Sequence, residues 1–329
     1  MAGTIRIGEN EYTILGELGG STRPLHLEDK DGKQFVLKWA KEPRRIAHVA
    51  NEYLAFQMRV AHVANEYLAF QLYKAAGCRV PNVEFVRLDE LGGYGLLEDY
   101  IPNETLRTLL ERGDDDEQVR EQVRTLSFPA LQPDLILHAL FGNWDINNTE
   151  NIIIPRNKDG GFDYANPVII DLGGTLQFRA MGELKNADQF TGEVTNHNSI
   201  VSSARSKRSR YNRPFKMAGV NANSIICNRW NDVNASAILR AFDKAVPIVR
   251  PHFKRVKKVE LDIVKLRAIL VARIAFFYKF CGEVTRTVPG SMRRTVKRSP
   301  KPAGGAGTGP SGSHGGGRRA KWSTMKKRT

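Results

Sequence analysis

Between Phe141 and Phe178 the chain reads FGNWDINNTENIII, then a short polar turn, then PVIIDLGGTLQF. Two apolar β-type runs, Ile152 to Pro155 and Val168 to Ile170, are each flanked by acid and amide side chains at the turn where a strand ends. Asp145, Asn148 and Asn151 precede or enter the first run, Asp171 closes the second, and Gly173 and Gly174 follow it. A hairpin built on these runs gathers four oxygen-bearing side chains, and hard oxygen donors suit Mg2+ carrying phosphates. The competing reading of the stretch, taken alone, is a polar β-hairpin whose Asn and Asp residues only make turns.

A second chemical feature lies upstream. Gln34 to Ala40, QFVLKWA, reads as a strand with Lys38 inside its apolar run. An inward Lys38 is costly unless it meets anions; the competing reading is an edge-strand lysine that points to solvent. Before it, Glu11 to Leu18 alternates like a strand and runs into Gly16, Gly19, Gly20 and Ser21, and a second strand-like stretch covers Pro24 to Glu28. Glycines at such a turn let backbone N–H groups approach phosphate. Taken alone, a plain hairpin turn is the readier account of them.

Taken together, these residues resemble the catalytic core of the protein-kinase-like superfamily, where a catalytic-loop Asp and Asn are followed across a hairpin by Asp-x-Gly. Gly142-Asn143-Trp144-Asp145, Asn151 and Ile170-Asp171-Leu172-Gly173 are more similar to the atypical branch containing HipA-type bacterial kinases and type II phosphatidylinositol 4-kinases. Five residues separate Asp145 from Asn151, one more than the usual loop has, which makes Asn148 a rival metal ligand. The resemblance implies ATP and Mg2+ as cofactors. Adenine would meet the backbone of Asp99, Tyr100 and Ile101, and the phosphates would lie under Gly16, Gly19, Gly20 and Ser21. Lys38 would bind phosphate, Asn151 (or Asn148) and Asp171 would hold the metal, and Asp145 would orient or deprotonate a hydroxyl acceptor, with protein Ser/Thr favoured.

The elements that must position these residues include an internal duplication. RIAHVANEYLAFQM, Arg45 to Met58, is followed directly by RVAHVANEYLAFQL, Arg59 to Leu72, with twelve of fourteen positions identical. Fourteen residues are close to four helical turns, so the copies share a face with roughly 40° of drift and about 21 Å of added length. One long helix or a broken pair is expected. Glu52 and Glu66 are then alternative partners for Lys38. Glu66 is preferred because its copy runs on into a helix end and the next strand, while Glu52 is nearer in sequence.

Over the whole chain the resemblance implies an α+β, two-lobed protein-kinase-like fold. Residues 1–102 form a small nucleotide-binding lobe, a five-stranded antiparallel sheet with one long helix. Residues 103–287 form a mainly α large lobe, with helices expected over Ala235 to Val246 and Val256 to Phe280. His138, on a buried helix leading into the Asp145 loop, reads as a hydrogen-bonded core histidine rather than a base. Residues 288–329 form a disordered basic tail: they hold eleven Lys and Arg and no acid, so of the formal charge of +15 only +4 belongs to the rest.

That tail, and the basic segment Arg205 to Arg213, make nucleic acid or an acidic protein a possible partner. A protein or small-molecule acceptor is the other expected partner. Two readings compete with a kinase: a pseudokinase or nucleotide-binding scaffold, and a nucleic-acid-associated protein acting through its tail. Cys78, Cys227 and Cys281 are widely spaced and odd in number, which argues against zinc and a disulfide framework. With neither signal peptide nor membrane span in the pattern, the expected location is intracellular, cytoplasmic or nuclear.

Overall fold

The computed structural model describes residues 3–19, 23–41, 49–91, 93–178, 185, 221–253 and 263–287, all within a compact unit ending at Val288. The chain starts with four strands in a meander: β1 (Thr4–Ile7), β2 (Asn10–Glu17), β3 (Leu25–Glu28) and β4 (Gln34–Lys41). The helix α1 (Val49–Ala75) leads to β5 (Val83–Arg87) and β6 (Gly93–Asp99), and the antiparallel sheet has the order β1-β2-β3-β4-β6-β5. The sheet therefore has six strands where the sequence pattern gave five. The added strand is β1, which pairs with β2 residue for residue from Thr4↔Thr13 to Ile7↔Asn10 across the turn at Gly8.

Strand alternation sorts the sheet into two faces. Leu37 and Leu97 join Ile5, Ile7, Tyr12, Leu27 and Leu88 in a core on one side, while Leu96 belongs to the large core built around α1. In the β4–β6 register Lys38 stands opposite Leu96 and Val36 opposite Glu98. Lys38 and Glu98 consequently share the face that meets α1.

From Val49 onward the duplicated segment lies in one unbroken helix, α1, whose 27 residues run to Ala75. It packs against β4, β5 and β6, and also against α7 (Ala235–Phe253). This two-sided enclosure explains why the described turns bury residues around most of the circumference, including Val60, Ala61, Ala64, Leu68, Phe70 and Tyr73.

Beyond β6, a second antiparallel sheet of β7 (Asn103–Thr105), β8 (Ile152–Pro155) and β9 (Val168–Ile169) carries the loop ends of interest. Short helices α2 (Leu106–Arg112), α3 (Glu117–Gln122), α4 (Phe128–Leu131) and α5 (Leu135–Phe141) lie between β7 and β8. The large helical part also contains α6 (Asn221–Asn231) and α8 (Ile263–Thr287). α7 continues through Pro247, beyond the Val246 end that the apolar periodicity gave.

Cys227 of α6 and Cys281 of α8 form a disulfide, with Cα atoms 5.2 Å apart, and Cys78 is free and buried. The sequence argument against a disulfide fails for this pair, because packing of α6 on α8 joins residues 54 apart in the chain. No described helix is long and apolar enough to cross a membrane. Most of the segment from 179 to 220, including Arg205 to Arg213, and the tail from 288 to 329 lie outside the described residues.

Candidate active site

The loop holding Asp145 begins where α5 ends. All seven α5 residues are buried, and Gly142 stops the helix in the left-handed conformation (φ 65°) that glycine adopts without a Cβ penalty. The Asn143 N–H then donates to the His138 carbonyl (2.8 Å), and Asn143 Oδ1 accepts from the Asp145 N–H (3.1 Å). Two buried cations grip the same turn. Arg273 of α8 donates to the Leu140 carbonyl (2.8 Å), and the Lys185 ammonium donates to the Gly142 carbonyl. Cations at a helix C-terminus also oppose its dipole, so the large lobe fixes this loop electrostatically as well as by packing.

Within the loop, Asn151 Nδ2 donates to Asp145 Oδ2 at 2.7 Å and approaches the Asp145 carbonyl at 3.3 Å. Asn148 Nδ2 reaches Asn151 Oδ1 at 3.4 Å. The β8–β9 pairing and the bond from the Ile170 N–H to the Asn151 carbonyl (2.9 Å) bring the end of β9 alongside. Burial raises the Asp145 carboxyl pKa; the Asn151 bond opposes this, and the Asp171 charge adds to it.

Asp171 follows in a left-handed conformation (φ 53°) that a side chain adopts only at a cost. Its carboxylate is 53% exposed and lies 4.0 Å from the Lys38 ammonium. Lys38 in turn meets Glu66 of α1 at 3.0 Å and Glu98 of β6 at 3.2 Å. Burial alone would lower the Lys38 pKa, but Glu66, Glu98 and Asp171 outweigh it and hold the ammonium well above the ordinary lysine value.

Helix α1 also clamps the Asp171 loop from outside. His62 Nε2 lies 3.1 Å from the Gly173 carbonyl, and Asn65 donates to the Thr175 carbonyl at 2.9 Å and accepts from the Gln177 N–H at 3.4 Å. His62, Asn65 and Glu66 follow helical i, i+3, i+4 spacing on one face.

The structure thus brings Lys38, Glu66 and Asp171 together, and joins Asp145, Asn148 and Asn151 in a second group at the open end of the β8–β9 hairpin, where the Ile170 N–H meets the Asn151 carbonyl. Glu52 lies on α1 among residues whose side chains are not described. Gly16 sits at a β-bulge between Ile14 and Gly16, and Gly19 follows where the Leu18 N–H closes the turn on the Pro24 carbonyl (2.8 Å). Gly20 and Ser21 lie outside the described residues.

At the segment after β6, the Asp99 N–H donates to the Asn82 carbonyl and the Tyr100 N–H to the Gln34 carbonyl, each at 3.0 Å. These two N–H groups bond within the fold, so backbone groups of Asp99 to Ile101 that would meet a base are others than these. The Tyr100 and His26 rings meet in a tilted contact, 4.2 Å between centroids and 37° between planes. The Tyr73 hydroxyl and His138 Nδ1 share a buried hydrogen bond (2.8 Å), and burial lowers the His138 pKa to about 3. It is a neutral core histidine, as its place on the buried helix implies.

For a divalent cation, the oxygens at hand are the exposed Asp171 carboxylate, Asn151 Oδ1 and Asn148. No group of three or more His, Cys, Asp or Glu side chains suited to a metal occurs among the described residues. A site of one carboxylate and amide oxygens fits Mg2+, which takes few protein ligands and completes its shell with water and phosphate oxygens.

This architecture is the protein-kinase-like fold: a small antiparallel β lobe with one long helix, joined to a mainly α lobe bearing the loops just described. The structure is similar to the Helicobacter pylori proinflammatory kinase CtkA, with a TM-score of 0.53 at 12% identity, over 87% of this chain and 100% of that one. Two further structures align less well. Rio2 kinase of Chaetomium thermophilum, in an ADP/Mg2+-phosphoaspartate complex, gives a TM-score of 0.35 at 16% identity over 76% of this chain and 72% of that one. HipA of Shewanella oneidensis MR-1, in a toxin-antitoxin complex with HipB and operator DNA, gives 0.38 at 14% identity over 83% and 68%. No protein-family model and no curated protein matches the sequence.

Proposed function

We propose that this chain is an ATP-dependent phosphotransferase acting on a hydroxyl acceptor, with protein Ser/Thr as the acceptor class. The observation that carries the reading is the ion-pair cluster in which Lys38 meets Glu66 at 3.0 Å with Asp171 4.0 Å away. Glu66 and Glu98 both hold the Lys38 ammonium, which has three N–H donors, and phosphate oxygens would take an N–H in place of one of its carboxylate partners; the exposed Asp171 carboxylate faces the same space. Asp171 and Asn151, with Asn148 beside them, would hold Mg2+, which supplies charge neutralisation at the phosphate oxygens. Asp145, oriented by Asn151, accepts or directs the acceptor proton. Adenine would meet the Ile101 N–H and the Tyr100 carbonyl, since the Ile101 and Pro102 carbonyls accept from Asn103 Nδ2 and the Arg156 N–H. Catalysis of this kind is positioning plus electrostatics.

The test is ATP turnover and autophosphorylation by the full chain beside Asp171→Ala. The expected result is a loss of about 10²-fold or more in the variant; equal rates in the two proteins would remove the assignment.

A pseudokinase or nucleotide-binding scaffold is the second reading. Saturable MgADP binding without turnover in the wild type would select it. The acidic or nucleic-acid partner proposed for residues 288–329 is tested by binding across a salt series, with and without those residues. The proposed cytoplasmic or nuclear location conflicts with the Cys227–Cys281 disulfide, since such bonds persist mainly in oxidising compartments. A thiol count on protein trapped at lysis decides between them.

A further inference from the structure

Lys38 is held by two buried carboxylates where one is enough to orient it. Glu66 is hydrogen-bonded to the ammonium at 3.0 Å and belongs to a helix face anchored on the Asp171 loop by His62 and Asn65. Glu98 is different. It is 3% exposed, its Oε1 lies 3.2 Å from the ammonium, and that atom makes no aligned hydrogen bond. The contact is an ion pair of poorer geometry than the Glu66 pair. The β4–β6 register sets Glu98 opposite Val36, on the cleft face between Lys38 and the Asp99–Ile101 segment.

We propose that Glu98 is a positioning residue that competes with nucleotide phosphate for Lys38, so that loading the site opens the Lys38–Glu98 pair while the Lys38–Glu66 pair persists. This rests on the nucleotide-binding reading above. An ammonium has three donors. Glu66, Glu98 and Asp171 surround it in the free protein, and a polyphosphate adds more negative charge to a cluster that already holds three acids for one base. One carboxylate must give way, and Glu98 has the weaker hold.

The groups facing Glu98 are Lys38 from β4, Glu66 from α1 and Asp171 from the loop after β9. Burial, with the push of Glu66 and Asp171 and against the pull of Lys38, raises the Glu98 carboxyl to about 7. The neutral acid releases Lys38 easily, whereas the carboxylate retains it and repels phosphate. Nucleotide affinity should therefore fall as pH rises through neutrality, by at most about tenfold per pH unit for one linked proton.

The experiment is MgADP binding by calorimetry to the full chain, wild type beside Glu98→Gln, from pH 6 to pH 8.5. The expected result is that wild-type affinity falls relative to the variant as pH rises, with Glu98→Gln binding about tenfold tighter at the alkaline end. Ionisation of ADP itself is common to both proteins and cancels in their ratio. Parallel pH profiles, or weaker binding by Glu98→Gln at pH 8, would overturn the role of Glu98 and leave nucleotide binding intact. Absence of binding in wild type at every pH would instead remove the nucleotide reading and this inference with it. Should Glu98→Gln fail to fold, Glu98→Met makes the same comparison.

Discussion

The His62 ring and the backbone of Gly173 are so close that a Cβ at position 173 would lie 2.8 Å from both Cε1 and Nε2 of the imidazole, while Nε2 is 3.1 Å from the Gly173 carbonyl. The second residue after Asp171 is therefore glycine because a helix side chain occupies the space. Gly173→Ala should push His62 off the loop at a cost of about 1–3 kcal/mol, the range for overpacking, and weaken MgADP binding by freeing Asp171. Gly161→Ala is the control, because its Cβ would meet only Asp159 Oδ1 at 3.5 Å. Urea unfolding of both variants checks this; equal stabilities would show that His62 moves at no cost.

Glu66, Lys38 and Asp171 were legible in the sequence because each breaks an apolar pattern or closes one at a recognisable spacing. His62 and Asn65 were not. They repeat His48 and Asn51 of the first copy, so the duplication drew attention to the helix as a whole and away from its polar face. Their role depends on which loop lies opposite, and that is tertiary information. Arg273 interrupts the apolar run from Ala268 to Phe280 in the sequence, yet it is buried and binds the Leu140 carbonyl. Glu98 was hidden for a different reason: in LLEDY, strand alternation leaves its side chain free to face either side until pairing with β4 sets the register. The Cys227–Cys281 pair depends wholly on helix packing.

Lys38→Met should cost more stability than a phosphate-facing lysine implies. Its ammonium compensates Glu66 and Glu98, both nearly fully buried, and removing one partner of a buried ion pair typically costs about 3–5 kcal/mol. The expected remedy is to remove the stranded charges. Lys38→Met combined with Glu66→Gln and Glu98→Gln should regain most of the lost stability while remaining unable to transfer phosphate. Thermal unfolding of the single and triple variants reads this, and a single variant as stable as wild type would mean that the two glutamates do not depend on Lys38.

Deleting Arg45 to Met58 should leave a folded protein that still binds MgADP. The copy from Arg59 supplies His62, Asn65, Glu66 and the described buried face of α1, and the loss of fourteen residues changes helical phase by only about 40°. Glu52→Ala should accordingly leave binding unchanged in the intact chain, whereas Glu66→Ala should weaken it about tenfold or more, since it frees Lys38 from its hydrogen-bonded partner. Nucleotide binding lost in the deletion, or only in Glu52→Ala, would assign the Lys38 partner to the first copy.

Stability against pH should carry the opposed signatures of His138 and Glu98. His138 has a pKa of about 3 in the fold against an ordinary 6.5, so the unfolded chain binds the extra proton between these values. Its contribution is complete above pH 6.5 and is lost as pH falls toward 3, with a slope of at most about 1.4 kcal/mol per pH unit. Glu98, raised from 4.5 to about 7, has the reverse sign: the fold holds the extra proton, and stability is lost as pH rises through that window. Between roughly pH 4.5 and 6.5 the two slopes cancel, so these groups give a plateau there and a fall below it. His138→Asn keeps an acceptor for the Tyr73 hydroxyl and should turn the plateau into a decline with rising pH. Glu98→Gln should turn it into a rise. Denaturant unfolding at half-unit pH steps separates the cases, and a wild-type curve that neither substitution tilts would mean that neither group titrates differently in the folded chain.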